Sequence, residues 1–329
     1  MAVSIEDIKK LRAMTGAGLA DVKKALTEAE GDFDKAKELL RERGLAIAAK
    51  RSDRETSNGC VLVKKVNDFA AIIALKCETD FVANGADFIK LTSDILDAAI
   101  AAKAHTLDEV KTLKVGESDA QAAVTQRSGI TGEKMELDGY SFIEGENVSV
   151  YDHMGRHMLC TMVQTNKPAE EQAHNIAMQV AAMNPVALDE ASVPQAVKDE
   201  ELKVAIEKTK EEQVKKAVEA ALKKAGFNLY IAESEDHLEE GIRKGNITEE
   251  QAQQIRDLKQ ATAEQKAANL PEQMIQNIAN GRMNKFFKES CLLNQEYIQD
   301  SKMSVTDYLK SADKELTVVD FKRFTLRAE

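Results

Sequence analysis

The stretch FAAIIALKCETDFVA, residues 69–83, joins an apolar, β-like run to a turn that contains an acid and a large aromatic side chain. A strongly periodic helical pattern follows, so the stretch predicts a strand-to-helix junction. Turns usually contain Gly, Pro, Asn or Ser, and Phe81 is therefore an unusual residue there. Phe81 either folds back onto its own core or faces solvent as a docking residue for another protein. These residues alone slightly favour the first alternative.

The patterns on either side of this junction predict an α+β protein. Cys60–Val66 and Phe69–Cys77 are rich in apolar and β-branched residues and predict a β-hairpin with its turn at Asn67. The order of a hairpin and then a helix recurs later in the chain, which predicts two related subdomains from an internal duplication. The recurring segments are Val148–Tyr151, Met158–Val163 and Glu170–Met183.

Residues 1–50 predict three short helices. Ser4 and Asp32 are placed to cap the first and the third helix, and Gly44 is placed to end the third. The loop Met14–Leu19 contains glycines, which permit positive φ, and separates the first two helices. Three small helices joined in this way resemble a ubiquitin-associated domain, and the polar residues 50–58 predict a linker after it.

Residues 191–266 have a different composition from the rest of the chain. Glu200–Lys224 consists almost entirely of strong helix formers, and its apolar stripe is thin. Thr248 and Gln251 predict a capping box for another long helix. We expect an inserted helical arm with a solvated face, and the alternative is a homodimer seam along its imperfect heptads.

Composition narrows the class of protein. A chain of 329 residues predicts two or three domains. The net charge of −11 argues against binding to nucleic acid or to an acidic membrane. The longest apolar run is too short to span a bilayer, and Met1–Lys10 lacks the features of a secretory signal. Four widely spaced cysteines predict reduced thiols in a cytoplasmic protein.

No motif predicts an enzyme, a metal or a bound cofactor. A phosphate-binding loop and a dinucleotide fingerprint are both missing from the sequence. Cys77 has no neighbouring base that would activate it as a nucleophile. His153 and His157 are four residues apart, but Gly155 lies between them and the flanks predict strands, so the pair lies at a hairpin tip. Structural zinc needs four ligands, and this pair supplies only two.

Three motifs, far apart and in the same order, resemble the bacterial translation elongation factor Ts family. They are LRAMTGAGLADVKKAL at residues 11–26, Thr79–Val82, and NGRMNKFF at residues 280–287. The resemblance implies an N-terminal domain at 1–55, core subdomains at 56–139 and at 140–190 with 267–329, and the arm at 191–266. The family's arm is shorter than this one.

The resemblance also implies a function and a set of contact residues. Members of the family are guanine-nucleotide exchange factors that bind elongation factor Tu and promote GDP release by disturbing its Mg²⁺ and phosphate site. Asp80 and Phe81 would enter the partner's GTPase domain, while Thr79 and Val82 fix the turn. Other implied contacts are Met14, Leu19 and Lys23 in the N-terminal domain and Thr131, Gly132 and His153 in the second subdomain. The alternative function is a non-exchanging adaptor or chaperone-like module.

Overall fold

The computed structural model describes residues 4–15, 17–51 and 53–326, apart from the side chains of Ile47 and Ala48. Gly16, in the predicted loop Met14–Leu19, therefore lies outside the described residues. The chain begins with three helices: α1 (Ile5–Thr15), α2 (Leu19–Glu28) and α3 (Phe33–Ala49). This part of the α+β prediction is confirmed.

Short-range hydrogen bonds start two of these helices as expected. The Ser4 hydroxyl accepts the Asp7 N–H at 3.0 Å, and the Asp32 carboxylate accepts the N–H groups of Asp34 and Lys35. The three helices close over a small core. It contains Leu11, Val22, Ala25, Leu26 and Ala36.

Gly44 does not end α3, and this prediction was wrong. The helix continues to Ala49, and Gly44 instead lies against Gly129 of α7 (Ala120–Thr131). A Cβ atom on Gly129 would be only 2.1 Å from the Cα of Gly44. The two glycines therefore allow α3 and α7 to cross closely, which attaches the N-terminal helices to the core.

The first half of the core contains a three-stranded antiparallel sheet in the order β1-β2-β5. Nearly all of β2 is buried, because Ile73 and Leu75 pack under helix α5 while Ile72 and Ala74 face a second sheet. The elements are β1 (Asn58–Val66), β2 (Phe69–Cys77), α4 (Asp80–Ala83), α5 (Ala86–Ala101), α6 (Leu107–Thr112), β3 (Lys114–Val115), β4 (Ser118–Asp119), α7 and β5 (Met135–Glu144).

The second half repeats the order of hairpin, helix, small two-stranded hairpin, helix and third strand. Its sheet is also antiparallel, in the order β10-β7-β6, so the second strand of the hairpin is again central. The elements are β6 (Val148–Asp152), β7 (Leu159–Thr165), α8 (Glu170–Met183), β8 (Glu296–Tyr297), β9 (Asp300–Ser304), α14 (Val305–Ala312) and β10 (Val318–Thr325).

The two sheets pack face to face over a shared core. Val61, Ile72, Val148 and Met162 meet there, and a Cβ atom on Gly139 would lie 2.2 Å from the Phe324 ring. Gly139 belongs to β5, so the domain boundary predicted after residue 139 falls inside a single strand. The first sheet instead ends with β5 at Glu144.

Residues 189–295 form a separate compact helical unit. Its helices are α9 (Gln195–Lys224), α10 (Leu229–Ala232), α11 (Glu235–Arg243), α12 (Glu249–Ala268) and α13 (Glu272–Ser290). The capping box of Thr248 and Gln251 starts α12, and Leu222, Leu238 and Ile255 form a small core. The unit includes α13 and so extends past residue 266, the predicted end of the arm. Within the described ranges, every helix is too short or too polar to cross a membrane.

Candidate partner-binding site

Phe81 faces solvent on a single helical turn that follows β2. Thr79 caps this turn, and its hydroxyl accepts the Val82 N–H at 3.4 Å, while Ala83 anchors the other side of the turn in the core. The Phe81 side chain is 87% exposed, more than any other large apolar side chain of the described residues. The interpretation in which Phe81 folds back onto its own core is therefore wrong.

Two glutamates join this turn to the segment that precedes β5. The backbone pairing of β2 with β5 ends at Cys77 and Met135. Beyond that pair, the Glu78 carboxylate accepts the Lys134 N–H at 2.6 Å. The Glu133 carboxylate accepts the Thr79 N–H at 3.1 Å and the Thr79 hydroxyl at 2.6 Å. We call Glu78, Thr79, Glu133 and Lys134 the clasp.

Glu78 also binds the segment that leads out of the N-terminal helices. Its carboxylate pairs with Arg51 at 3.2 Å and with Arg54 at 2.8 Å. The Lys134 N–H in the first place, and then the two guanidinium groups, lower the pKa of Glu78 to about 2. The predicted linker is thus fixed to the core at Glu78, three residues before the exposed Phe81.

Thr131 and Gly132 belong to the first half of the core and lie next to this site, although the resemblance grouped them with His153 of the second subdomain. Thr131 is the last residue of α7, and Gly132 follows it in the left-handed region at φ 72°. The chain then turns into Glu133. The sequence reasoning missed Glu133 and Lys134, because they are more than fifty residues away from Thr79 and no local pattern connects the two segments.

The other predicted contact residues take no part in the clasp contacts. Met14 and Leu19 are each more than half exposed, and Lys23 is exposed, although their neighbours Leu11 and Val22 are buried. The N-terminal helices therefore present apolar side chains and a cation to solvent.

His153 lies at the tip of the hairpin formed by β6 and β7, beside the exposed Met154. Its Nδ1 lies 3.2 Å from the Tyr151 hydroxyl. The Nδ1 of His157 lies 2.5 Å from the Asp152 carboxylate, which holds that ring within the tip. In the described part of the chain, no three His, Cys, Asp or Glu side chains gather in a group that could hold a metal.

Comparison with known proteins identifies the family. The family model described as "Elongation factor TS" matches residues 78–234 and 238–328. The chain belongs to the elongation factor Ts family. It is 61% identical over 329 residues to elongation factor Ts of Parabacteroides distasonis, and 62% over 330 residues to that of Bacteroides fragilis. The protein of Porphyromonas gingivalis is 41% identical over 331 residues, and each comparison covers 100% of both chains.

Membership of the elongation factor Ts family decides between the two functions considered above, an exchange factor and a non-exchanging adaptor or chaperone-like module. The protein is a nucleotide-exchange factor for elongation factor Tu in translation elongation, and it is not an enzyme. Cys77, the candidate nucleophile considered above, lies in surroundings that do not activate a thiol. All four cysteines are free and buried, and burial raises the pKa of Cys77 to about 12, so its thiol stays protonated.

Proposed function

We propose that exchange proceeds by insertion of Asp80 and Phe81 into the GTPase domain of elongation factor Tu, beside its Mg²⁺ and phosphates. The observation that supports this is the 87% exposure of Phe81 on a capped turn. Because the turn is held in place before contact, docking costs little conformational entropy. Burial of the Phe81 ring then releases about 2–3 kcal/mol.

Asp80 gives the insertion its effect on the nucleotide. A GTPase holds GDP through a phosphate-binding loop and a Mg²⁺ ion. An exposed carboxylate brought to that site repels the phosphates and competes for polar groups that hold the ion. By linkage, a factor that binds the nucleotide-free partner more tightly weakens nucleotide binding by the same factor. Thr79 and Val82 act by keeping Asp80 and Phe81 in position.

The remaining contacts hold the partner while the turn is inserted. Met14, Leu19 and Lys23 form one anchor on the N-terminal helices, and His153 forms another at the hairpin tip. Thr131 and Gly132 support the insertion by leading the chain into Glu133. Several anchors and one intruding turn together bind the partner in its nucleotide-free form.

The two halves of the core are related subdomains in this proposal. Support comes from the same order of elements and from the same central strand in each sheet. The division is an N-terminal domain to residue 55, a subdomain to Glu144, a second subdomain, and the inserted helical unit at 189–295. A homodimer through this unit stays a prediction. Leu222 and Ile255 of its apolar stripe are buried within the unit itself, so a seam between two copies would have to use other residues.

Release of a fluorescent GDP analogue from elongation factor Tu tests the insertion. We expect Phe81→Ala to slow the stimulated release at least tenfold, which corresponds to about 1.4 kcal/mol. Tyr230→Ala is the matched control, because Tyr230 is an exposed aromatic on α10, 64% exposed, outside every proposed contact. Unchanged release by a Phe81→Ala variant with an unchanged circular dichroism spectrum would contradict the proposal.

A further inference from the structure

We infer that Glu133 is a positioning residue for nucleotide exchange, and that the clasp it forms with Glu78, Thr79 and Lys134 keeps Phe81 in its docking orientation. The inference rests on the proposed insertion of Phe81. Glu133 does not contact the nucleotide site in this view. It acts through Thr79, the cap of the turn that carries Phe81.

The clasp is reciprocal. Each glutamate accepts the N–H of the residue that follows the other glutamate: Glu78 accepts from Lys134, and Glu133 accepts from Thr79. These contacts begin where the backbone ladder of β2 and β5 ends, so carboxylate oxygens replace the carbonyl acceptors that a longer sheet would supply. Hydrogen bonds to an ionised acceptor are also stronger than those between neutral groups.

The contact with the Thr79 hydroxyl connects the clasp to the helical turn. The hydroxyl donates its hydrogen to Glu133 at 2.6 Å, which leaves a lone pair free to accept the Val82 N–H. The turn has only four residues, and so short a helix has little stability of its own. Its orientation, and with it that of Phe81, therefore depends on how Thr79 is held.

Glu133 is itself held from two directions. Its N–H donates to the Thr131 hydroxyl at 3.3 Å, and its carbonyl oxygen accepts the Ser128 hydroxyl at 2.5 Å. Gly132 makes the tight turn that brings it there. The carboxylate is thus anchored on α7 rather than on a free loop, as a positioning group requires.

The matching junction of the second subdomain supplies a control. There Asn166 follows β7 and binds the segment before β10, where it donates to the Glu315 carbonyl at 2.8 Å and accepts the Thr317 N–H at 3.0 Å. Asn166→Ala removes hydrogen bonds at the same place in the fold without touching the turn that carries Phe81.

The test measures GDP release over a range of exchange-factor concentrations. We expect Glu133→Ala to lower the maximal rate about fivefold, because a charge-assisted contact with Thr79 is lost. The half-saturating concentration should change by less than about twofold, since the other anchors remain. Glu133→Gln keeps the side chain's size and should fall between Glu133→Ala and the native protein, so the test does not depend on one variant folding.

A double-mutant cycle then assigns the effect to the contact between Glu133 and Thr79. Thr79→Val keeps the shape of Thr79 but removes its hydroxyl. If both residues act through one hydrogen bond, the combined Thr79→Val and Glu133→Gln variant should be slowed by less than the product of the two single effects. Full multiplication of the two effects would overturn the inference.

Three further outcomes separate the inference from the proposed function. If Phe81→Ala slows GDP release but Glu133→Ala has a normal maximal rate, the inference about Glu133 is overturned and the proposed insertion is not. An unaffected Phe81→Ala would overturn the proposed insertion itself. Equal losses of maximal rate in Glu133→Ala and Asn166→Ala, with equal losses of thermal stability, would show that Glu133 has only a structural role.

Discussion

The two halves of the core contain corresponding strand-to-helix junctions, and only the first junction presents an aromatic side chain. In the first, β2 leads into the capped turn that carries Phe81. In the second, β7 leads through Asn166 and Lys167 directly towards α8. Both junctions bind the segment that precedes the third strand of their sheet.

The groups that make these ties differ in kind. The second junction uses the Asn166 amide and the Lys167 ammonium, which lies 3.0 Å from Asp313 and 3.2 Å from Glu315. The first uses two carboxylates, one of which reaches the helix cap. Both halves of the core have a contact between this junction and the segment before the third strand. We conclude that this contact is part of the fold. In our proposal, the extra turn and the carboxylate that holds its cap serve nucleotide exchange.

The largest difference between the junctions should come from substituting two adjacent residues in each of them by alanine. The double variant Asp80→Ala, Phe81→Ala should lower stimulated GDP release about a hundredfold, because the charge and the apolar anchor are lost together. The matched double variant Lys167→Ala, Pro168→Ala should change it by less than about twofold, as is usual outside the hot spot of an interface. Similar losses from both pairs, in stopped-flow fluorescence, would end the distinction between the junctions.

Only the first subdomain carries the N-terminal helices, through the contact of Gly44 with Gly129. Gly129→Ala should reduce the free energy of unfolding by about 1–3 kcal/mol, because its Cβ would collide with the backbone of α3. Urea unfolding followed by circular dichroism measures this. In the control Gly281→Ala, on α13, the added Cβ meets no atom within 4 Å and alanine favours the helix. A stability loss in the control as large as that of Gly129→Ala would contradict the crossing argument.

Acid should weaken the first junction through Glu78. Its pKa is about 2 in the folded protein against an ordinary value of 4.5. The unfolded chain binds the proton more readily, so the stabilisation is complete above pH 4.5 and is lost as the pH falls towards 2. The stability difference between the native protein and Glu78→Gln, measured by urea unfolding, should therefore shrink from pH 6 to pH 3. A difference that is constant over this range would contradict the assignment.

The second junction should respond to acid in the same direction but less strongly. The Glu315 N–H in the first place, and then Lys167, lower the pKa of Asp313. Its side chain is 46% exposed, whereas that of Glu78 is 15% exposed, so solvent screens the interaction more. Asp313→Asn should accordingly show a smaller change with pH than Glu78→Gln.

The smallest effect is expected from the inserted helical unit, which belongs to neither junction. Replacing residues 225–247, which contain α10 and α11, by a short flexible linker should change GDP release by less than about twofold. The altered loop length costs little, and the core residue Leu238 that is lost packs within this helical unit. All proposed contact residues lie outside this segment. A smaller mass in solution with an unchanged rate per chain would reveal a dimer seam. A folded, monodisperse variant without exchange activity would place the segment in the functional surface.

Local patterns predicted the elements around the site correctly. The hairpin of β1 and β2 follows from two runs of apolar and β-branched residues and a turn at Asn67, whose φ is 52°. The Asp32 cap follows from a hydrogen bond that spans only three residues. Interactions of this range are determined by neighbours in the chain.

Predictions that needed distant contacts were wrong or missing. Gly44 has the same local signature whether it ends a helix or lets two helices cross, and the crossing depends on Gly129. The third strand of the first sheet, β5, was divided at residue 139 because its partner β2 lies more than sixty residues earlier. Glu133 gave no signal for the same reason.

The sequence alone determined the α+β class, the strand-to-helix junction and, through three separated motifs, the family. Each of these depends on periodicity, on capping within a few residues or on contiguous motifs. Only the tertiary structure decided that Phe81 faces solvent and that Glu133 holds Thr79. Exposure depends on which other segments cover a side chain, and a clasp depends on backbone N–H groups brought together by sheet pairing. Neither quantity is present in a local stretch of the chain.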